Sequence, residues 1–189
     1  MDKKEALKIV QESGRELENL PDEFKKDYEI VLEAVKNRGN ALKYADESLK
    51  KDKEIVLIAV KSMGYNLEDV DDSLKKDKEI VLEAVKNDGF AIKYVDKSLK
   101  KNREIVLAAV RNEGFAIADA DHKFLDDKEI AIEAVKKNPD AFLLLNKILT
   151  EDKDIIALVA LSGSLTNEND GDRVNSYQDF IKHLPKGEK

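Results

Sequence analysis

The stretch DKEIVLEAVKNDGFAIKY, residues 77–94, decides the fold, because its opening phrase is written again at a fixed interval along the chain. Asp-x-Glu-Ile-Val-Leu-x-Ala-Val starts at Asp27, Asp52 and Asp77 and returns with Asn in the first place at Asn102. It continues as Asp-Lys-Glu-Ile-Ala-Ile at Asp127 and Asp-Lys-Asp-Ile-Ile-Ala at Asp152, and Asp2 opens a more polar version one interval before Asp27. A period of this length, kept without insertion, marks an array whose units are each too small to bury their own apolar face, so that stacking supplies the core. The expected fold is an all-α solenoid. It is one helical-repeat domain over residues 1–189, with 25-residue units beginning at 2, 27, 52, 77, 102, 127 and 152.

Roughly the first eleven residues of each unit predict a helix with both ends marked. Asp at the first place is an N-cap, its carboxylate accepting from orphan backbone N–H groups, and the acid two places on (Glu29, Glu54, Glu79, Glu104, Glu129, Asp154) suits the positive end of the helix dipole. Gly14, Gly39, Gly64, Gly89 and Gly114 fall at the thirteenth place. A left-handed residue closing the helix is expected there, since Gly alone adopts that conformation without steric cost. The sixth unit has Asn138-Pro139 instead. Beyond the Gly, spacings of three and four, as in Ala91, Ile92 and Val95, predict a helix of under two turns. A third segment, Asp-x-Ser-Leu-Lys-Lys at 46–51, 71–76 and 96–101, is expected to form one α or 3₁₀ turn on an apolar anchor such as Leu49, Leu74 or Leu99.

On a helical wheel Ile80, Val81, Ala84 and Val85 share one face while Leu82 lies beyond its edge, a stripe too wide for a single neighbour. A stacked helix touches the units before and after it, which accounts for that width, and the small Ala34, Ala59, Ala84, Ala109 and Ala134 let successive helices approach closely. Glu5 stands where other units have Ile, as a terminal unit facing water would require. At the other end Tyr177, Phe180, Ile181 and Leu184 follow the i, i+3, i+4, i+7 rule and predict a capping helix over 175–185.

Composition narrows the function classes. Of 189 residues 39% are charged and only 6% aromatic, with no Trp, so the apolar surface is spread thinly rather than gathered in an aromatic-filled globule. Asp plus Glu outnumber Lys plus Arg by 40 to 33, for a net charge of -7, the reverse of a generic nucleic-acid binder. The absence of Cys removes disulfides, thiolate nucleophiles and Cys-based metal sites. No apolar run approaches a membrane span, and the start leads into no stretch of signal-peptide type, so a cytoplasmic protein, or one delivered into a host cytosol, is expected.

The phrase at residues 77–94 resembles the helical repeats grouped as domain-of-unknown-function family 4116. The resemblance covers about residues 2–150, is strongest from Asp27 to Phe124, and weakens at Pro139 and after Gly163. It implies tandem short helices and an interaction role in bacterial, protist or viral proteins. It brings no catalytic residues with it.

The residues themselves point the same way. His122 occupies a place held by Glu47, Asp72 and Lys97, and His183 lies off the apolar stripe of its helix, so both read as solvated variable positions. The segment 167–172 looks like a calcium loop, but counting from Gly171 puts Thr166 and Tyr177 where acidic ligands are needed. No phosphate-cradle or zinc-hydrolase motif occurs. The pairs Lys25-Lys26, Lys50-Lys51, Lys75-Lys76 and Lys100-Lys101 form a ridge, expected to be balanced by Asp46, Asp71 and Asp96 and therefore not to track nucleic acid. Aromatics are the lead: Tyr65, Phe90 and Phe115 share the fourteenth place, with Tyr44 and Tyr94 four places on. Phe90 and Tyr94 are then expected on one face of the short helix. Ile58, where other units have Glu33, Glu83 and Glu133, suggests a specialised strip. The expected function is a non-enzymatic, monomeric protein-binding module without cofactor or metal, docking its partner through Tyr44, Ile58, Tyr65, Phe90, Tyr94 and Phe115. The alternative is a small acidic inhibitor or effector that occupies a groove of a nucleic-acid enzyme.

Overall fold

The computed structural model describes residues 1–162. Each unit contributes a helix as its first segment: Lys3–Glu12, Tyr28–Asn37, Lys53–Ser62, Lys78–Asn87, Arg103–Asn112, Lys128–Lys137 and Lys153–Leu161. The expected caps begin them. The Asp77 carboxylate accepts from the backbone N–H groups of Glu79 and Ile80, and Asp2 and Glu5 close a reciprocal capping box at the start of the stack. Among the described residues there is no strand. The predicted capping helix over 175–185 lies outside them.

The second segment is a six-residue 3₁₀ helix in every one of units one to six, for example Gly89–Tyr94 and Gly114–Asp119. The third is a single turn, α at Asp22–Lys25 and Lys147–Thr150 and 3₁₀ at Leu74–Lys76, Leu99–Lys101 and His122–Asp126. First helices pack on first helices and second segments on second segments along the array. Ile30, Ile55, Ile80, Ile105, Ile130 and Ile155 are fully buried between them, with Leu17, Leu42, Leu67, Ile92 and Ile117 on the second-segment side.

The thirteenth-place glycines correct the sequence expectation. None of Gly14, Gly39, Gly64, Gly89 and Gly114 has a positive φ, and the helix is closed instead by the preceding residue in extended conformation, such as Asp88 at φ -143. Glycine is required for a different reason: a Cβ on Gly64 would collide with the backbone oxygen of Ala84 in the next unit. At that point one unit's second segment rests on the C-terminal turn of the next unit's helix.

Three sets of rungs join neighbouring units. Backbone N–H groups of Asp46, Asp71, Asp96 and Asp121 donate to the oxygens of Lys25, Lys50, Lys75 and Lys100 at 2.9–3.2 Å. Asn37, Asn87 and Asn112 each reach back with both ends of the amide. Asn112 Oδ1 accepts from the Gly89 N–H at 2.7 Å while its Nδ2 donates to the Lys86 oxygen at 3.0 Å. In unit three Ser62 occupies the Asn place, and buried Asn66 donates to the Ala59 oxygen at 2.8 Å nearby. The third set is ionic: Lys53 meets Asp77 and Glu79, both at 2.8 Å, and Arg103 meets Asp127 and Glu129 at 3.1 and 2.6 Å. These exposed pairs add little energy each but fix the register between caps.

Candidate docking surface

At the fourteenth place the second segments set Arg15, Tyr65, Phe90, Phe115 and Asp140 outward, while Asn40 is half-buried with its Oδ1 unpaired among the described residues. A 3₁₀ helix has three residues per turn, so the seventeenth place shares that face. The companions are Glu18, Lys43, Glu68, Lys93, Ala118 and Leu143. In unit one the face is an ion pair, Arg15 to Glu18 at 3.6 Å, and in unit two it is Asn40 with Lys43. In units three to five the fourteenth place turns aromatic, beside Glu68, Lys93 and Ala118 at the seventeenth. Tyr65, Phe90 and Phe115 are 45%, 47% and 36% exposed, Met63 stands exposed beside Tyr65, and exposed Ala118 and Leu143 extend the strip into units five and six.

The six residues expected to dock a partner therefore divide. Tyr65, Phe90 and Phe115 form the exposed row. Tyr44, Ile58 and Tyr94 are half-buried and pack against the core, and Ile58 belongs to the first helix rather than to the second-segment face. Phe90 and Tyr94 do not share a face, because the segment is 3₁₀ and not α, which turns the fourth residue on out of line. Tyr94 instead crosses to the preceding unit and stands edge-on to Tyr65, ring centroids 5.2 Å apart and planes at 86°. Burial, then Tyr65 and Glu68 beside it, push the Tyr94 phenol well above the usual range. In the same segment as Tyr65, Asp69 is half-buried, and desolvation raises its carboxyl despite Lys50 and Lys43 nearby.

Tyr44 lines a shallow cavity of about 320 Å³ with Asp22, Lys25, Lys26, Asp46 and Glu47. Its charges are mutually engaged: Lys25 pairs with Asp22 at 3.5 Å and Lys26 lies 3.9 Å from Asp46. Lys26–Asp46 apart, the ion pairs of the ridge come from other carboxylates than sequence spacing suggested, and they cover only part of it. Asp46, Asp71 and Asp96 turn onto the N–H and hydroxyl groups of Ser48, Ser73 and Ser98. Lys50 and Lys75 pair three residues back, with Glu47 at 2.8 Å and Asp72 at 3.0 Å.

Among the described residues no three His, Asp or Glu side chains are placed to hold a metal ion, and no helix is long and apolar enough to cross a membrane. His122 is exposed at the start of its turn. His183 and the 167–172 segment lie outside the described residues. Sequence reasoning missed the Asn clamp although its recurrence at Asn37, Asn87 and Asn112 was visible. It also missed Ala118 and Leu143, whose place on the strip depends on the 3₁₀ geometry, and Met63, the extended residue that closes the first helix of unit three.

A family model described as a domain of unknown function, DUF4116, matches residues 2–50, 30–75, 52–100 and 102–150. Three of these matches span pairs of units, one and two, three and four, five and six, and the fourth overlaps units two and three. No curated protein and no solved structure matches the chain.

Proposed function

The chain belongs to the DUF4116 family of helical repeats, and since that membership names no activity, we propose from its own surface that it is a non-enzymatic protein-binding module. The partner lies along the second-segment face of units three to six. The observation that carries this reading is the exposed row Tyr65, Phe90 and Phe115, one aromatic from each of three consecutive units. A unit can fold without such a residue: Arg15, Asn40 and Asp140 occupy the same place. Exposed aromatics that the fold does not need, aligned on rigid segments, are what a hot-spot strip requires.

The inhibitor reading has less support. An acidic protein that fills a basic groove needs free carboxylates, and the regular acidic positions here are paired across neighbouring units at the surface, Asp77 and Glu79 by Lys53, Asp152 and Asp154 by Lys128. The test is affinity isolation with the parent chain and with Phe90→Ala/Phe115→Ala, both shown to melt alike. A partner enriched by the parent and lost with the variant is the expected result. Recovery of the same proteins by both would overturn the assignment.

A further inference from the structure

The ion pairing of the first ridge lysine stops at unit four. In units one to three the twenty-first place is acidic and pairs with the lysine three residues on, as Asp22–Lys25, Glu47–Lys50 and Asp72–Lys75. In units four and five that place holds Lys97 and His122. Lys100, left without its carboxylate, donates to the Lys93 backbone oxygen at 2.9 Å and is half-buried, while Lys123 donates to the Lys101 oxygen at 3.1 Å. Among the described residues no carboxylate lies within ion-pair distance of Lys97, Lys100 or Lys101. Asp96 is committed to Ser98 and Asp121 to the Lys123 N–H; burial lowers the Lys100 pKa, and half-buried Asp119 attracts its ammonium only from beyond ion-pair distance.

In the units before this cationic patch the first ridge lysines, Lys25, Lys50 and Lys75, are ion-paired, whereas among the described residues Lys51 and Lys76 lack an ion pair as Lys101 does; in the units after it Asp126 and Glu151 take the place of Lys101. The patch also touches the apolar strip, since Lys93, whose carbonyl receives Lys100, shares a 3₁₀ face with Phe90. A phosphate backbone needs a longer track of cations than this one, which Asp126 and Glu151 interrupt. We infer that units four and five dock a protein segment that carries carboxylates beside apolar side chains, the carboxylates meeting Lys97, Lys100 and Lys101 and the apolar groups meeting Phe90 and Phe115. The inference rests on the protein-binding reading above and gives that partner its chemistry.

Three fluorescent synthetic peptides of Leu combined with Glu, with Gln or with Lys, together with a short oligo-dT, test it by anisotropy on the full chain. The Glu peptide should bind at least about tenfold more tightly than the others and weaken as salt rises. Lys97→Asp recreates the Asp72–Lys75 pair in unit four, so it should keep or raise thermal stability while weakening the Glu peptide about tenfold. Equal binding of the Glu and Gln peptides, both sensitive to Phe90→Ala, overturns the carboxylate preference and leaves the aromatic surface standing. Binding of the Glu peptide that responds to Lys97→Asp but not to Phe90→Ala supports the cationic patch and removes the aromatic row from the site. Tighter binding of oligo-dT than of the Glu peptide overturns the protein partner in favour of nucleic acid.

Discussion

A Cβ atom on Gly89 would stand 2.5 Å from the backbone oxygen of Ala109, one unit further along the stack. Backbone cannot yield as a side chain does, so Gly89→Ala must push two units apart and should destabilise by about 1–3 kcal/mol. The cause is crowding rather than a left-handed backbone, which gives a sharper test. Asn is tolerated in left-handed positions, yet Gly89→Asn should be at least as damaging as Gly89→Ala in urea unfolding. A milder effect of Asn would return the glycine to a helix-closing role.

The Asn112 amide holds the Gly89 N–H and the Lys86 oxygen of the unit before it. Asn112→Ala leaves a part-buried donor without its acceptor and should cost about 1–3 kcal/mol, with faster hydrogen exchange at the Gly89 amide. Unit three contains an alternative, Ser62 with Asn66. Asn112→Ser alone should therefore lose stability, and adding Ala116→Asn, at the place of Asn66, should restore part of it. No recovery in the double variant would show that the two solutions are not interchangeable.

Tyr94 and Phe90 should separate by experiment. Tyr94 is half-buried against Tyr65, so Tyr94→Ala should cost about 1–2 kcal/mol, below the loss for a fully buried ring. Phe90 is exposed, and Phe90→Ala should stay within about 0.5 kcal/mol of the parent. Melting curves of the two variants check both figures, and a large loss at Phe90 would place it in the core.

Acid should loosen the stack at its joints. The Lys53 ammonium and the backbone N–H groups of Ile80 and Glu79 hold the Asp77 carboxyl below its ordinary 3.8 against some burial, and Lys128 does the same for Asp152. A carboxyl depressed in the folded state contributes stability that is fully present above its unfolded value and is lost as pH falls through the folded one. Urea midpoints should thus be level from neutral pH to about 5 and decline below about 4. Asp77→Asn keeps a capping oxygen but cannot titrate, so the variant should show a shallower acid decline. An unchanged slope would mean that the inter-unit pair carries none of the dependence.

The sequence by itself determined the period, the class of fold, the first-segment caps and the buried stripe. Each of these is local or repeats every unit: Asp77 caps its own helix, and Ile80, Val81, Ala84 and Val85 face inward because helix geometry puts them on one side. Family resemblance was legible for the same reason, since it is carried by the repeated phrase. The exposed aromatic row was legible too, as Tyr65, Phe90 and Phe115 share a place in the repeat, although three of the six expected docking residues prove half-buried. Tertiary structure decided what depends on how one unit meets the next. Whether the second segment is α or 3₁₀ sets whether Phe90 faces with Tyr94 or with Lys93, and that choice is made by packing against the neighbouring segment rather than by six residues alone. The role of the glycines was likewise hidden, because the group that excludes a side chain at Gly89 is the Ala109 carbonyl, far along the chain and brought close only by stacking. The partner that leaves Lys100 unpaired is missing by a single exchange, Lys97 for an acid. That exchange was readable in the sequence, but its meaning followed from the ion pairs of Lys25, Lys50 and Lys75, which only the folded turns define.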